Sequence, residues 1–309
     1  AILAQGELSI NDCSISGNEG DDGGGVYVHD GDADVDISAS AFSDNTASSG
    51  SGGAVYIRGG SSGSASLSVY DTVFESNTAD NNGGALYGYQ VGDLRIEASR
   101  FIENDANLGG SYGHGGGLHL RDTDAVVVYS NLFCGNTAAD GGGAYWTTDA
   151  TSSTADDWSH NIFLENSASS RGGHLHVDDA AVVSFDQNTL LGGSSVGYGG
   201  SVYAADLGGD FTHNIVAYTS AGHGIYGDAT TASSTSFQYN DWYSNTSQHT
   251  DGWLSFSTTG SGNLEDDPGF GSLTLDGDCT NDDLSLSSTS SLVDGGDPSV
   301  TESDGTVVD

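Results

Sequence analysis

The 309-residue chain is strongly acidic, because 44 Asp and Glu residues are opposed by five arginines and no lysine, for a formal net charge of −39. This charge disfavours nucleic acid and anionic lipid as partners. Only 35% of the residues are hydrophobic and 48 are glycine, which is too little apolar material for one large globular core. A solenoid tolerates such a composition, since each coil buries a narrow interior and contacts only its neighbours.

Two short patterns alternate along the chain. The first is an aromatic or aliphatic residue three positions before asparagine, in ISGN, FSDN, FESN, FIEN, FCGN, FLEN and WYSN, with Leu190 and Val216 in the same slot without the asparagine. The second is a glycine pair followed by alternating residues, as in GGGVYV, GGAVYI and GGALYG. Each occurs nine times. From Ile15 to Trp242 there are 227 residues over eight steps, a period of about 28 that suits one coil of a parallel β-helix.

Alternation within each strand predicts which side chains face inward. We expect two interior rows after the glycine pairs: Val26, Val55, Leu86, Leu118, Ala144, Leu175, Val202, Ile225 and Leu254, and Val28, Ile57, Gly88, Leu120, Trp146, Val177, Ala204, Gly227 and Phe256. A polar row two residues before the aromatic slot ends in five asparagines, Asn131, Asn161, Asn188, Asn214 and Asn240. These asparagines predict an amide ladder at a bend of the coil.

The FxxN and GGA(I/L/V) patterns resemble the repeats of chlamydial polymorphic outer-membrane proteins and of related bacterial right-handed β-helix passenger domains. The resemblance covers residues from about 8 to 256. It implies an all-β, right-handed parallel β-helix, a single-stranded solenoid of about nine coils in residues 1–258. It also implies a surface protein or adhesin.

Residues 259–309 are predicted to form a closing segment. Asp267, Pro268 and Phe270, followed by the SLVDGGDP stretch around Asp294, look like the last segment of pectate-lyase-like bacterial β-helix proteins. We expect this segment to close the last coil and to continue into an anchor region. Its Ser-rich run, DDLSLSSTSS, is also extended enough to pair with another strand edge.

The residue between the two interior rows faces outward and is almost always aromatic. This row is predicted to form a continuous stripe that stacks on sugars or on another protein; the alternative is that aromatic residues simply favour strands. The candidate binding residues are Tyr27, Tyr56, Tyr87, His119, Tyr145, His176, Tyr203 and Tyr226.

Three groups are candidate metal ligands. His174, His176 and Asp178 alternate in HLHVD, so we expect them to share one face and to bind zinc if an adjacent coil adds a ligand. Two acidic clusters are candidate calcium sites, although a solvated acidic edge is the alternative for the first. They are Asp30, Asp32 and Asp34, and Asp276, Asp278, Asp282 and Asp283.

Cysteine usage leaves the disulfides open. The three cysteines give an odd count, and Cys13 and Cys134 fall four coils apart, beyond disulfide reach. Cys13 occupies the polar row, where it is expected to act as a Ser-like filler.

We therefore expect a non-catalytic extracellular or cell-surface module, adhesin-like or a scaffold, that associates end to end with itself or binds a cell-surface glycan or protein. Possible cofactors are limited to calcium, and no direct membrane insertion is expected. The alternative is a polysaccharide-binding or polysaccharide-degrading β-helix protein, in which catalysis needs grouped carboxylates or a base with calcium.

Overall fold

The computed structural model describes residues 1–29, 31–60, 65–106, 112–148, 156–179, 183–228, 230–231, 235–247, 250–252 and 262–297. Within them, the chain winds into a parallel β-helix in which each strand pairs with its counterparts one coil before and one coil after. Two of the sheets contain nine strands, so about eight turns separate the first strand from the last. The predicted right-handed parallel β-helix is confirmed.

Three long sheets, here A, B and C, follow one another around the coil. The strands of sheet A are Ile2–Ala4, Val26–His29, Val55–Arg58, Leu86–Tyr89, Leu118–Arg121, Ala144–Thr147, Leu175–Asp178, Val202–Ala205, Ile225–Gly227 and Thr250–Gly252. Those of sheet B are Leu8–Asn11, Asp34–Ser38, Ser66–Tyr70, Asp93–Glu97, Ala125–Tyr129, Asp156–Ser159, Val183–Asp186, Gly209–Thr212 and Thr235–Gln238. Those of sheet C are Ser14–Ser16, Ala41–Ser43, Val73–Glu75, Arg100–Ile102, Leu132–Cys134, Ile162–Leu164, Thr189–Leu191, Ile215–Ala217 and Asp241–Tyr243.

A fourth, narrow sheet, D, lies between sheet C and the glycine pairs that lead back to sheet A. Its strands are Glu19–Gly20, Thr46–Ala47, Thr78–Ala79, Asp105–Ala106, Thr137–Asp140, Ser167–Arg171 and Ser194–Ser195. A separate antiparallel pair is formed by Phe270–Ser272 and Asp283–Leu286.

The interior follows the predicted rows. Both rows of sheet A are buried from the first glycine-pair strand to Ile225, and the register pairs each member with the equivalent residue of the next coil. Leu254 and Phe256, the last predicted members, lie outside the described residues. The FxxN phenylalanines stack in sheet C with ring centroids 4.7 to 5.1 Å apart, from Phe42 to Phe163. This narrow core is continuous along the axis, as a solenoid requires.

The corner between sheets B and C carries the predicted amide ladder. The side-chain amide of Asn131 donates to Oδ1 of Asn161 at 3.0 Å, and the same bond repeats through Asn188 and Asn214 to Asn240, which donates to Asn263 at 3.2 Å. The residue before each rung has a positive φ, as in His160 at 58°. A left-handed non-glycine residue costs about 1–2 kcal/mol, and the ladder's hydrogen bonds offset that cost. In the first coils, Cys13 Sγ donates to the Asn11 carbonyl as Ser40 Oγ does to that of Ser38, which confirms its Ser-like role.

A second ladder, which the sequence analysis did not identify, runs along the corner between sheets C and D. It is built from the FxxN asparagines Asn18, Asn45, Asn77, Asn104, Asn136 and Asn166. The next coil has Gly193 in this slot. There the buried ring of His174 fills the space that an asparagine side chain would occupy. The ring lies so close that a Cβ added to Gly193 would be 2.8 Å from His174 Nε2. His174 Nδ1 accepts from Asn166 Nδ2 at 3.0 Å.

Residues 264–297 do not act only as a closing coil. Leu264 adds a bridge to Asp241, but the chain then turns back along the outside of sheet C. Phe270, Leu273, Leu275 and Leu284 pack there against an apolar face that includes Leu164, Leu191 and Ala217. We call residues 264–297 the lateral flap.

A disulfide fastens the lateral flap to the coil. Cys279 in the flap bonds to Cys134 in sheet C, with Cα atoms 6.4 Å apart, and Cys13 is a free, exposed cysteine. The first part of the Ser-rich run, Asp283–Leu286, pairs within the flap. The flap therefore covers a side of the rod in addition to its contact with the last coil.

Candidate binding groove

The eight predicted residues of the aromatic stripe lie side by side along sheet A. Adjacent ring centroids are 4.5 to 5.2 Å apart, from Tyr27 through His119 and His176 to Tyr226. The rings are in contact because residues in register on neighbouring parallel strands are one strand spacing apart. The sequence-based expectation of one continuous row of rings matches this geometry.

The stripe is less exposed than an outward-facing row should be. His119 is 3% exposed and His176 is completely buried, while Tyr27, Tyr56, Tyr145, Tyr203 and Tyr226 are half-buried. The stripe is therefore the floor of a groove, because a row of side chains borders it on each side.

The first wall, which we call the rim row, is formed by the residue that precedes the first glycine of each glycine pair. Its members are Asp22, Ser51, Asn82, His114, Asp140, Arg171 and Tyr198. Each carbonyl from Ser51 to Tyr198 accepts a hydrogen bond of 2.8 to 3.0 Å from a glycine amide of the preceding coil. These side chains reach the stripe: the rings of His114 and Tyr145 are 4.6 Å apart, and those of Tyr198 and Tyr226 are 4.8 Å apart.

The second wall, which we call the flank row, follows the stripe by two residues on each strand of sheet A. Its members in register are His29, Arg58, Tyr89, Arg121, Thr147, Asp178 and Ala205. The guanidinium groups of Arg58 and Arg121 each lie 5.4 Å from the centre of the Tyr89 ring. Neither wall was predicted from the sequence, although both lie at fixed offsets from the glycine pair in each repeat.

Positive charge is concentrated in this groove. Three of the five arginines of the chain border it, Arg58 and Arg121 in the flank row and Arg171 in the rim row. Arg171 forms a two-point ion pair with Asp140, at 2.8 and 3.1 Å, and lies 5.0 Å from the Tyr203 ring centre. Arg121 lies 3.6 Å from Asp122. These pairs leave the groove with little net charge in an otherwise acidic molecule.

Burial and ion pairing shift the pKa values of several groups in the groove. Burial lowers the pKa of His176 to about 3 and that of His119 well below its usual range. Burial also raises the pKa of Tyr145 to about 12. For Asp140, burial alone would raise the pKa, but the hydrogen bonds from Arg171 bring it below its usual value. At neutral pH the histidine floor is uncharged, and the groove offers hydrogen bonds and ring faces to a ligand.

Two aspartates do have pKa values near neutrality, but both lie outside the groove. Burial raises the pKa of Asp156 and of Asp241 to about 7 each. Asp156 accepts a hydrogen bond from the Val126 amide in sheet B, and Asp241 accepts one from the Asp266 amide beside sheet C. These two aspartates are separated from the groove, but the flank row itself holds Asp178, whose pKa is also raised by burial.

The predicted metal ligands do not converge in the described part of the chain, where no three His, Cys, Asp or Glu side chains form a cluster that could hold an ion. His174, His176 and Asp178 do not share a face, because His174 turns inward to Asn166 and lies near Phe163. His176 is in the stripe and Asp178 in the flank row. The expectation of a common face fails because the strand begins only at Leu175, after the glycine turn.

The acidic clusters also make local contacts. Asp276, Asp278, Asp282 and Asp283 accept hydrogen bonds from nearby backbone or side-chain groups of the lateral flap. Asp32 is exposed, and Asp34 is exposed and accepts a hydrogen bond from Ser66. Asp30 lies outside the described residues. Calcium binding at either cluster stays a prediction.

The fold and the groove define the class of this chain: a parallel β-helix with a ring-lined groove along one face. Among the described residues no helix has the length and apolar character to cross a membrane. Comparison with protein families finds the Chlamydia polymorphic membrane protein (Chlamydia_PMP) repeat at residues 39–58 and 71–89. The chain is thus a β-helix protein with polymorphic-membrane-protein-like repeats. No curated protein and no solved structure matches it.

Proposed function

We propose that this chain is a non-catalytic, adhesin-like module at the cell surface or outside the cell, and that the groove is its contact surface. The observation that carries the proposal is the groove itself, which has both walls over seven coils and combines ring faces with polar walls. The matching repeat supports it, since this repeat is named for a membrane protein.

The Cys134–Cys279 disulfide supports the proposed location. Disulfides persist in oxidising compartments and are rare in the cytosol. The acidic surface fits the same setting, because a high net charge keeps a rod soluble.

The groove's electrostatics favour binding over catalysis. Hydrolysis of a glycoside needs two carboxyl groups on either side of the bond, one of them with a raised pKa. In the groove walls, burial raises the pKa of Asp178, but Asp140 is paired with Arg171 and its pKa is lowered. A polysaccharide-degrading enzyme remains the alternative that the experiment must exclude.

The test has two arms. Immobilised protein is presented to bacterial and host cells, and the soluble chain is incubated with acidic and neutral polysaccharides while products are followed by chromatography. We expect saturable cell attachment and no shortened products. Release of oligosaccharides at a constant rate would overturn the non-catalytic proposal, and absence of attachment to any surface would overturn the adhesin-like one.

We further propose that copies associate end to end. The strand Ile2–Ala4 lies at the edge of sheet A and pairs with Val26–His29 on one side, and Leu3 is 74% exposed. An exposed strand edge is a template for pairing with another chain. Sedimentation at rising salt should show assemblies, whereas a strictly monomeric chain under all conditions would contradict association.

A further inference from the structure

The groove widens into a pocket near the middle of the rod. Its volume is about 500 Å³, within the usual range for small-ligand sites. The floor is His119 and Tyr145, one wall is Asn82 and His114 of the rim row, and the other is Arg121 and Thr147 of the flank row. We call it the central pocket.

The ring nitrogens of His119, at the floor of the central pocket, are left without hydrogen bonds of ordinary geometry to any described residue. The ring is 3% exposed, and the backbone of His114 lies beside it. A buried polar group without a partner costs about 1–3 kcal/mol. A neutral imidazole carries one donor and one acceptor, which matches the two functions of a hydroxyl group.

Tyr112 stands at the edge of the same pocket. Its ring is 87% exposed, although large aromatic side chains gain most from being covered. An exposed ring beside a polar pocket is the arrangement by which proteins stack on the flat face of a sugar. Asn82 and Thr147 add an amide and a hydroxyl along the walls.

Charge decides which ligand fits. Arg121 lies 3.6 Å from Asp122, Arg171 is paired with Asp140, and Asp179 adds a further carboxylate to the lining, so the arginines near the pocket already face carboxylates. The chain as a whole carries −39, which repels an anionic ligand. An apolar ligand would leave His119 and the wall amides unpaired.

We propose that the central pocket is a subsite for a neutral saccharide, with Tyr112 as the stacking ring and Asn82 as a hydrogen-bonding group. The covered nitrogens of His119 complete the site when its ring turns toward the bound ligand. The proposal rests on the groove being the contact surface, and it names the ligand class. Because the rim and flank rows change from coil to coil while the floor stays aromatic, the walls set the preference for one glycan over another.

The experiment measures binding of neutral oligosaccharides (glucans, mannans, galactans, xylans and N-acetylated chitin fragments) on an array and by calorimetry, with polygalacturonate and heparin as acidic probes. We expect at least one neutral glycan to bind. Tyr112→Ala should weaken its binding about tenfold, as loss of a stacking anchor does. His119→Phe keeps a ring in the stripe, removes both nitrogens and should weaken binding about fivefold. Tyr70→Ala, at an exposed tyrosine of sheet B, is the matched control and should bind as the native chain does.

Binding to acidic probes only, binding to no neutral glycan, or affinity unchanged in both Tyr112→Ala and His119→Phe would each overturn the saccharide subsite. Melting curves of the variants show whether a loss reflects unfolding. If cells still attach to the chain while no neutral glycan binds or competes, the subsite fails and the adhesin-like function stands.

Discussion

Replacing Asn161 by alanine tests the idea that the amide ladder holds the corner between sheets B and C. Asn161 is completely buried in the middle of the ladder. Its Nδ2 donates to the Val128 carbonyl at 2.8 Å and to Asn188 Oδ1 at 3.0 Å. Its Oδ1 accepts from the backbone amide and the side-chain amide of Asn131, each at 3.0 Å.

The substitution removes these four hydrogen bonds. At a net value of about 1 kcal/mol each, the free energy of unfolding should fall by about 4 kcal/mol. The loss is this large because water cannot easily reach the Asn131 amide or the Val128 carbonyl that are left behind. The positive φ of His160, at 58°, stays in place and is no longer offset.

Urea denaturation followed by far-ultraviolet circular dichroism measures the change, and the slope of the transition shows whether the chain still unfolds as one unit. Asn18→Ala is the matched control, because Asn18 is a half-exposed rung of the second ladder that bonds to Asn45 at 2.9 Å. There water replaces the lost contacts, and we expect a loss below about 1 kcal/mol. Equal, small losses for the two variants would refute the view that the ladder stabilises the corner.

Three further outcomes are expected. Because burial raises the pKa of Asp156 to about 7, the native chain loses stability as pH rises from the ordinary carboxyl range through about 7. The Asp156→Asn variant should therefore have a higher melting temperature than the native chain at pH 8 and the same melting temperature near pH 4. The same difference in melting temperature at both pH values would contradict this. Cys279→Ser should release the lateral flap, which would be seen as faster proteolysis within residues 264–297 with unchanged circular dichroism of the coil. Cys13→Ser, at the free cysteine, is the control. Equal proteolysis rates for the two variants would show that packing alone holds the flap. Salt should raise the melting temperature by screening the −39 charge, and calcium at matched ionic strength should raise it further if an acidic cluster binds it; no added effect of calcium would leave screening as the whole explanation.

The coil and its interior could be read from the sequence, because each coil repeats the same contacts. Val26, Val55 and Leu86 recur at the same offset after a glycine pair, and in the structure they are buried neighbours on adjacent strands. The ladder from Asn131 to Asn240 was predicted for the same reason. Leu190 and Val216 are buried like the phenylalanines of the FxxN pattern although no asparagine follows them. The apolar side chain fills the core whether or not the asparagine is present.

The candidate groove was only half predictable. The stripe was visible because Tyr and His recur between two interior rows. The depth of the groove was not predictable, because the rim row is polar and its residue type varies from Asp22 to Tyr198. Only the fold shows that such different residues form one wall.

Contacts between distant parts of the chain were decided by the tertiary structure alone. An odd cysteine count gave no pairing, and Cys134 meets Cys279 across 145 residues only because the flap turns back along sheet C. Local alternation predicts His174 as a metal ligand, yet its ring fills the place of a missing ladder residue, because Gly193 at the rung after Asn166 has no side chain. By itself the sequence determined the repeating part of this protein, where a residue's neighbours are its own equivalents one coil away. The flap and the ladder's substitute depend on unique contacts, which no periodic pattern encodes, whereas the groove walls keep fixed offsets in the repeat but vary in residue type from coil to coil.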